Sequence, residues 1–241
     1  MSTYILIHGD WHGGWCWNRV VPFLQQAGHR VLAPDLPGHG QDTTPLSSIT
    51  QERIFQCLND FLDSEVEPVT LVGHSSGGML ITALANLRPE KVKELVYLSA
   101  FLLPPGVTPR ALAVDTESIL SSALLVDEQR RVVTIKPEVA KAVFYADCTD
   151  ADATWATRLL VPEPFRSPTQ RVTPPLPETA WDAIPRVYIT CLQDKALGPA
   201  MQKQMYTKVS CQKVYSLHTS HSPFLSAPSQ LAAYLLDAVA L

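Results

Sequence analysis

A chain of 241 residues, 46% of them hydrophobic, can build one large core but is short for two ordinary domains. The formal net charge is −4 and no basic stripe is visible, so nucleic acid is excluded as an expected partner, and no apolar run approaches the roughly 20 residues of a membrane span. The cysteines (Cys16, Cys57, Cys148, Cys191 and Cys211) are odd in number and form no C-x-x-C pair, and Met1-Ser2-Thr3-Tyr4 has no charged leader before an apolar run; reduced thiols in a cytoplasmic protein are expected. With no H-E-x-x-H, no clustered Cys/His ligands and no G-x-G-x-x-G opening a helix, neither a metal nor a dinucleotide is expected.

Strands and helices alternate along the chain. Tyr4-Ile5-Leu6-Ile7 is short, apolar and β-branched, the pattern of a buried strand. Trp17, Val20, Val21 and Leu24 form a helical stripe that stops at Gly28, and Arg30-Val31-Leu32-Ala33 is a second strand. Ile54, Cys57, Leu58, Phe61 and Leu62 make the next stripe, and Val69-Thr70-Leu71-Val72 a third strand, followed by the helical spacing of Leu80, Ala83, Leu84 and Leu87. Leu95–Leu98, Arg186–Thr190 and Gln212–Tyr215 are further strands, and Leu231, Tyr234, Leu235 and Ala238 mark the last helix. Such βα alternation predicts a mostly parallel sheet of about six strands with helices on both faces.

Residues 104–184 break the alternation. Helix-compatible stretches occur near 109–124, 137–147 and 150–160, Val132–Ile135 is the nearest strand candidate, and a run of Pro162, Pro164, Pro168, Pro174, Pro175, Pro177 and Pro185 excludes long helices and central strands. The segment reads as a helical cap inserted into a core formed by 1–103 and 185–241, since long structureless loops are uncommon.

Between the third strand and its helix stands Gly73-His74-Ser75-Ser76-Gly77, the form G-x-S-x-G. In a strand–turn–helix context this is a nucleophile elbow, with Ser75 exposed on a sharp turn and glycines giving room for the backbones beside it. A serine hydroxyl needs a base and the base an orienting acid, in the chain order Ser, Asp/Glu, His for this fold. Asp194 follows the strand at 186–190, and His221 lies in the loop after the last strand. His218 competes for the base role but sits nearer the strand end, and Asp147, Asp150, Asp152 and Asp182 are other acids within the cap or at its exit. Two backbone N–H donors for the tetrahedral anion are expected from Ser76 and from Asp10, in the glycine-rich loop His8–Gly14. His8, His12 and His74 are read as holding the backbone in place rather than as catalysts. Trp11, Phe144, Trp155 and Phe165 are the candidate substrate contacts, for apolar pockets of this kind favour aromatic walls.

These blocks, with His12-Gly13-Gly14-Trp15-Cys16-Trp17, Ala27-Gly28-His29-Arg30-Val31, Asp35-Leu36-Pro37-Gly38-His39-Gly40 and Ser220-His221-Ser222-Pro223-Phe224, resemble the α/β-hydrolase superfamily. The narrower resemblance is to its plant methylesterase and hydroxynitrile lyase group and to bacterial pyrethroid-hydrolase-like carboxylesterases. It spans nearly the whole chain, is weakest in the cap, and ends at the group's usual C-terminal helix, which implies a complete chain. It implies Ser75, Asp194 and His221 as a triad, Asp10 and Ser76 as oxyanion donors, and no cofactor. The lyases of this group carry a threonine where Gly9 stands and a lysine shortly after the triad histidine, where this chain has Ser222 and Pro223. The expected function is therefore a serine carboxylesterase acting on a small to medium apolar ester. A carbon–carbon lyase or cofactor-free transformation and a small-molecule receptor are the alternatives, and a homodimer is a compatible assembly.

Overall fold

The computed structural model describes residues 1–104, 107–112, 114–165 and 181–239. Nine strands are described: β1 (Thr3–Ile7), β2 (Arg30–Leu32), β3 (Val69–His74), β4 (Val92–Leu98), β5 (Leu124–Asp127), β6 (Val132–Ile135), β7 (Glu163–Pro164), β8 (Arg186–Cys191) and β9 (Lys213–Leu217). The α-helices are α1 (Val21–Gln26), α2 (Gln51–Asp63), α3 (Gly77–Leu87), α4 (Leu120–Ala123), α5 (Pro137–Phe144), α6 (Asp150–Arg158), α7 (Pro199–Lys208), α8 (Pro223–Ser226) and α9 (Pro228–Ala238).

Six strands form one sheet in the order β2-β1-β3-β4-β8-β9, and every pairing is parallel. Alternate residues of a buried strand face opposite sides, so β1 feeds two cores. Tyr4 and Leu6 pack with Trp17, Leu24, Leu231 and Leu235 on one face; Ile5 and Ile7 pack with Leu58 of α2, Leu84 of α3 and Met205 of α7 on the other. The chain leaves β1 toward β2, then returns to place β3 on the opposite side of β1. That reversal opens a crevice at the carboxyl ends of β1 and β3, where ligands of such sheets bind. Fold class and sheet size agree with the reading of the sequence.

The differences are local. Trp17 and Val20 precede α1, because Gly14–Arg19 forms a tighter 3₁₀ turn before Pro22 opens the helix. Helix α7 lacked a visible stripe, since its buried positions are Met201, Met205 and the polar Gln202. The segment between β4 and β8 is not purely helical: α4, α5 and α6 accompany a three-stranded antiparallel sheet, β5-β6-β7. Val132–Ile135 is its central strand; Leu124, expected at a helix end, pairs with it instead. Pro168, Pro174, Pro175 and Pro177 of the proline run lie outside the described residues. Among the described residues, no helix is long and apolar enough to cross a membrane.

At the amino ends of the strands, Tyr4, Thr70 and Glu94 stand in register across β1, β3 and β4. Glu94 is only 5% exposed, and burial raises its carboxyl pKa to about 7, partly offset by Lys93. The native carboxyl thus keeps a proton that the unfolded chain releases near 4.5. The stabilisation is fully present below that lower value and is lost as pH rises through about 7. Between pH 4.5 and 8, wild-type stability is expected to fall by about 2–3 kcal/mol relative to Glu94→Gln. Urea titrations of both proteins across that range check this, and parallel pH profiles would refute it.

Candidate active site

β3 ends at His74 and α3 starts at Gly77, leaving Ser75 and Ser76 to make the turn. Ser75 has φ 54°, a left-handed conformation that few non-glycine residues adopt. The neighbours must be small for this to close. A Cβ on Gly73 would lie 2.7 Å from the Gly77 carbonyl oxygen, and one on Gly77 would lie 2.8 Å from that of His8. Backbone bonds hold the turn: Ser75 N donates to Leu98 O (3.3 Å), and Ser75 O accepts from Phe101 N (3.0 Å) and Gly78 N (3.2 Å).

Asp194 follows β8 and is fully buried. Its Oδ2 meets His221 Nδ1 at 2.7 Å. The same oxygen accepts from Gln202 Nε2 (3.1 Å) and from the Ser99 hydroxyl, while Oδ1 accepts from Ala196 N (2.7 Å) and Leu197 N (3.0 Å). Every lone-pair direction of this buried carboxylate is thus occupied, as its burial requires. His221 is 1% exposed and packs on the residue before the elbow serine: its ring lies 4.4 Å from that of His74, whose Nε2–H donates to His221 O at 2.9 Å. His218 is exposed. The other acids are engaged elsewhere: Asp147 accepts from the Ser220 hydroxyl, Asp150 pairs with Lys141, Asp152 with Arg19, and Asp182 lies 3.9 Å from Arg186.

Ser99 and Gln202, which the reading of the sequence missed, both bond the Asp194 carboxylate. Ser99 is the first residue after β4, with φ 40°, and β4 lies beside the strand that carries the acid. Gln202 is a wholly buried amide inside α7; its Oε1 accepts from Thr190 Oγ1 (2.8 Å) and Cys191 N (3.1 Å), and its Nε2 also reaches Leu197 O (2.7 Å). A polar residue on the inner face of the helix after the acid was the available signal.

The loop after β1 approaches the elbow closely. A Cβ on Gly9 would lie 2.8 Å from Ser75 Cβ. Asp10 N donates to Ser76 Oγ (2.8 Å), and that hydroxyl donates to Asp10 Oδ1 (2.8 Å), so the two expected anion-binding residues are linked directly. The loop histidines act on the backbone. His8 Nδ1–H donates to Gly9 O (2.8 Å) and its Nε2 accepts from Leu36 N (3.1 Å); His12 Nδ1–H donates to Asp10 O (2.8 Å) and its Nε2 accepts from Tyr145 OH (2.8 Å). Burial keeps these rings neutral, with the His12 pKa lowered to about 3 and His8 held well below the ordinary value, first by burial and then by the charge of His39. His74 is likewise depressed, first by burial and then by His221.

His39 differs. Its Nε2 lies 2.5 Å from Glu163 Oε1 and its Nδ1 3.1 Å from Pro37 O, so both ring nitrogens face acceptors. Burial opposes the charge, yet the hydrogen bond and charge of Glu163 outweigh it, and the pKa is raised. A cavity of about 100 Å³ is lined by this pair together with Gly9, Asp10 and Ser76.

Of the four aromatic candidates, two lie beside His221 and the loop. Phe144 is 2% exposed, with its ring 5.7 Å from His221 and 6.0 Å from Trp11. Trp155 and Phe165 are both 42% exposed and are not brought to this cluster. Trp155 sits edge-on to Trp15 (5.3 Å) and lines a separate cavity that contains none of Ser75, Asp194 and His221. Phe165 follows β7 directly and donates its N–H to Arg131 O. High aromatic content marked the segment but could not say which face each ring takes.

The family described as the alpha/beta hydrolase family matches residues 4–234. A pyrethroid hydrolase of Sphingobium wenxiniae is 35% identical over 98% of this chain and 87% of its own length. An alpha-hydroxynitrile lyase of Arabidopsis thaliana is 30% identical over 95% of this chain and 93% of its own. The crystal structure of a methylesterase from Arabidopsis superposes with a TM-score of 0.87 at 27% identity, covering 100% of this chain and 99% of the other.

Proposed function

The chain belongs to the alpha/beta hydrolase family, and from that premise we propose that it is a serine carboxylesterase for small to medium apolar esters. The observation that carries the reading is a buried Asp194–His221 pair at 2.7 Å, packed on a strained elbow whose serine sits at φ 54°. Ser75 Oγ attacks the ester carbonyl while His221 Nε2 takes its proton. The anion forms against the N–H groups of Asp10 and Ser76, and the C–O bond then breaks as the proton passes to the alcohol. Asp10 N–H now rests on Ser76 Oγ, so the anion takes over that donor as it forms. Water enters the acyl-enzyme by the same route. Nucleophile, base and anion donors are all protein groups, so the reaction needs no cofactor. Five free cysteines fit a reducing cytoplasm.

The lyase relative makes cyanohydrin cleavage the reading to test against. That reaction must stabilise a leaving cyanide anion. After His221 stands Ser222, a buried hydroxyl without a partner among the described residues, while Lys195 is exposed. Gly9 offers no hydroxyl, and any side chain there would press on Ser75. Each missing charge-assisted bond is worth about 1.5–3 kcal/mol, so a loss of roughly 10²–10⁴ in the lyase step is expected. The kcat/KM for a phenyl or methyl ester should exceed that for mandelonitrile in one buffer by at least about 10²-fold. Efficient cyanide release with negligible ester turnover would move the chain to the lyases.

A further inference from the structure

The residue after Asp10 is held entirely by the segment between β4 and β8. Trp11 N donates to Glu163 Oε1 (2.8 Å), Trp11 O accepts from Val161 N (2.9 Å), and the indole Nε1–H donates to Val133 O (3.1 Å). All three polar groups of Trp11 are thus bonded to β6, to β7 or to the residues just before β7. The bonds have something to hold. Trp11 has φ 63°, a left-handed conformation that costs a bulky residue of order 1–3 kcal/mol, and it persists only when its surroundings over-determine it. Glu163 is 8% exposed, and the oxygen that binds Trp11 N–H also meets His39, itself 4% exposed. A charged acceptor is stronger than a neutral one, so this is the firmest of the three ties.

We infer that Glu163 is a positioning residue for the oxyanion loop: with His39 it fixes the Trp11 peptide, and so aims the adjoining Asp10 N–H at the anion formed on Ser75. The inference rests on the esterase reading. It makes the inserted segment part of the transition-state machinery as well as a wall of the pocket. Anything that shifts β7 shifts an anion donor, whereas ground-state binding of the ester does not use that donor.

The test compares wild type with Glu163→Asp, which keeps the charge but shortens the reach, and Glu163→Leu, which keeps the bulk but offers no acceptor. Two quantities are measured on folded protein, counted by active-site titration: kcat and KM for a p-nitrophenyl ester, and the rate of Ser75 labelling by a fluorophosphonate, whose phosphoryl oxygen needs the same donors. Glu163→Asp is expected to lose about tenfold, and Glu163→Leu up to about 10²-fold, in both kcat and labelling rate, with KM changed less than threefold. A purely structural residue would lower the melting temperature and leave kcat per active site intact. Wild-type kcat and labelling rate in either folded variant would overturn the inference while leaving the esterase reading standing. A wild-type protein that the probe does not label at Ser75 would sink both.

Discussion

Ser75→Ala is expected to lower kcat for a p-nitrophenyl ester by on the order of 10⁶, with KM little changed. The size follows from the chemistry. Without Oγ no acyl-enzyme can form, and the His221–Asp194 pair is left with no proton to take. What survives is the anion site: the Asp10 and Ser76 amides still face the carbonyl, so a residual rate above uncatalysed hydrolysis should be measurable. The φ of 54° at this position disfavours alanine as it does serine, so the substitution adds little backbone strain of its own. Melting curves close to wild type are therefore expected beside the loss of activity. Intact-mass analysis after fluorophosphonate treatment should show one adduct on wild type and none on the variant. An adduct on another serine, or a variant with full turnover, would remove the nucleophile assignment.

The sheet was legible because its strands are buried on both faces. Ile5 and Ile7 serve one core and Tyr4 and Leu6 the other, so the whole run is apolar and stands out from its surroundings. The elbow was legible because sterics leave little choice: nothing larger than glycine fits at 73 or 77. The meeting of Asp194 with His221 could be anticipated because chain order in this fold points to the loops after two late strands. What the sequence concealed are groups whose roles depend on tertiary neighbours. Ser99 and Gln202 reach Asp194 only because β4 lies beside β8 and α7 folds back over it, and neither residue type announces that. The segment between β4 and β8 was the least readable for the same reason. Its short strands are stabilised by one another and by Trp11 of the core, not by a periodic pattern of their own, so nothing in the sequence ties Glu163 to His39; only the placement of β7 does.

Asp194→Asn is expected to reduce kcat by on the order of 10⁴ while the protein remains folded. The hydrogen bonds around the carboxylate determine why. Oδ1 accepts from two backbone amides, Ala196 N and Leu197 N, which cannot turn away. An asparagine amide must therefore keep its oxygen on that side, since the reverse orientation would set its NH₂ against both donors. Its NH₂ then replaces Oδ2, facing His221 Nδ1, the Ser99 hydroxyl and Gln202 Nε2. Ser99 can rotate its hydroxyl to accept. His221 can answer only by losing the proton from Nδ1, which moves it to Nε2, the atom that must receive the Ser75 proton. The imidazole is then in the wrong tautomer, and the carboxylate that would stabilise the imidazolium is gone. Gln202 Nε2 loses one acceptor but keeps Leu197 O, so the stability cost should be about 1–3 kcal/mol, the range for one imperfectly paired buried group. A fall in kcat at nearly constant KM, with a modest drop in melting temperature, is the expected pair of results. A loss under tenfold would mean that another carboxylate orients the base. Asp147, whose partner Ser220 precedes His221, would then be the first to test.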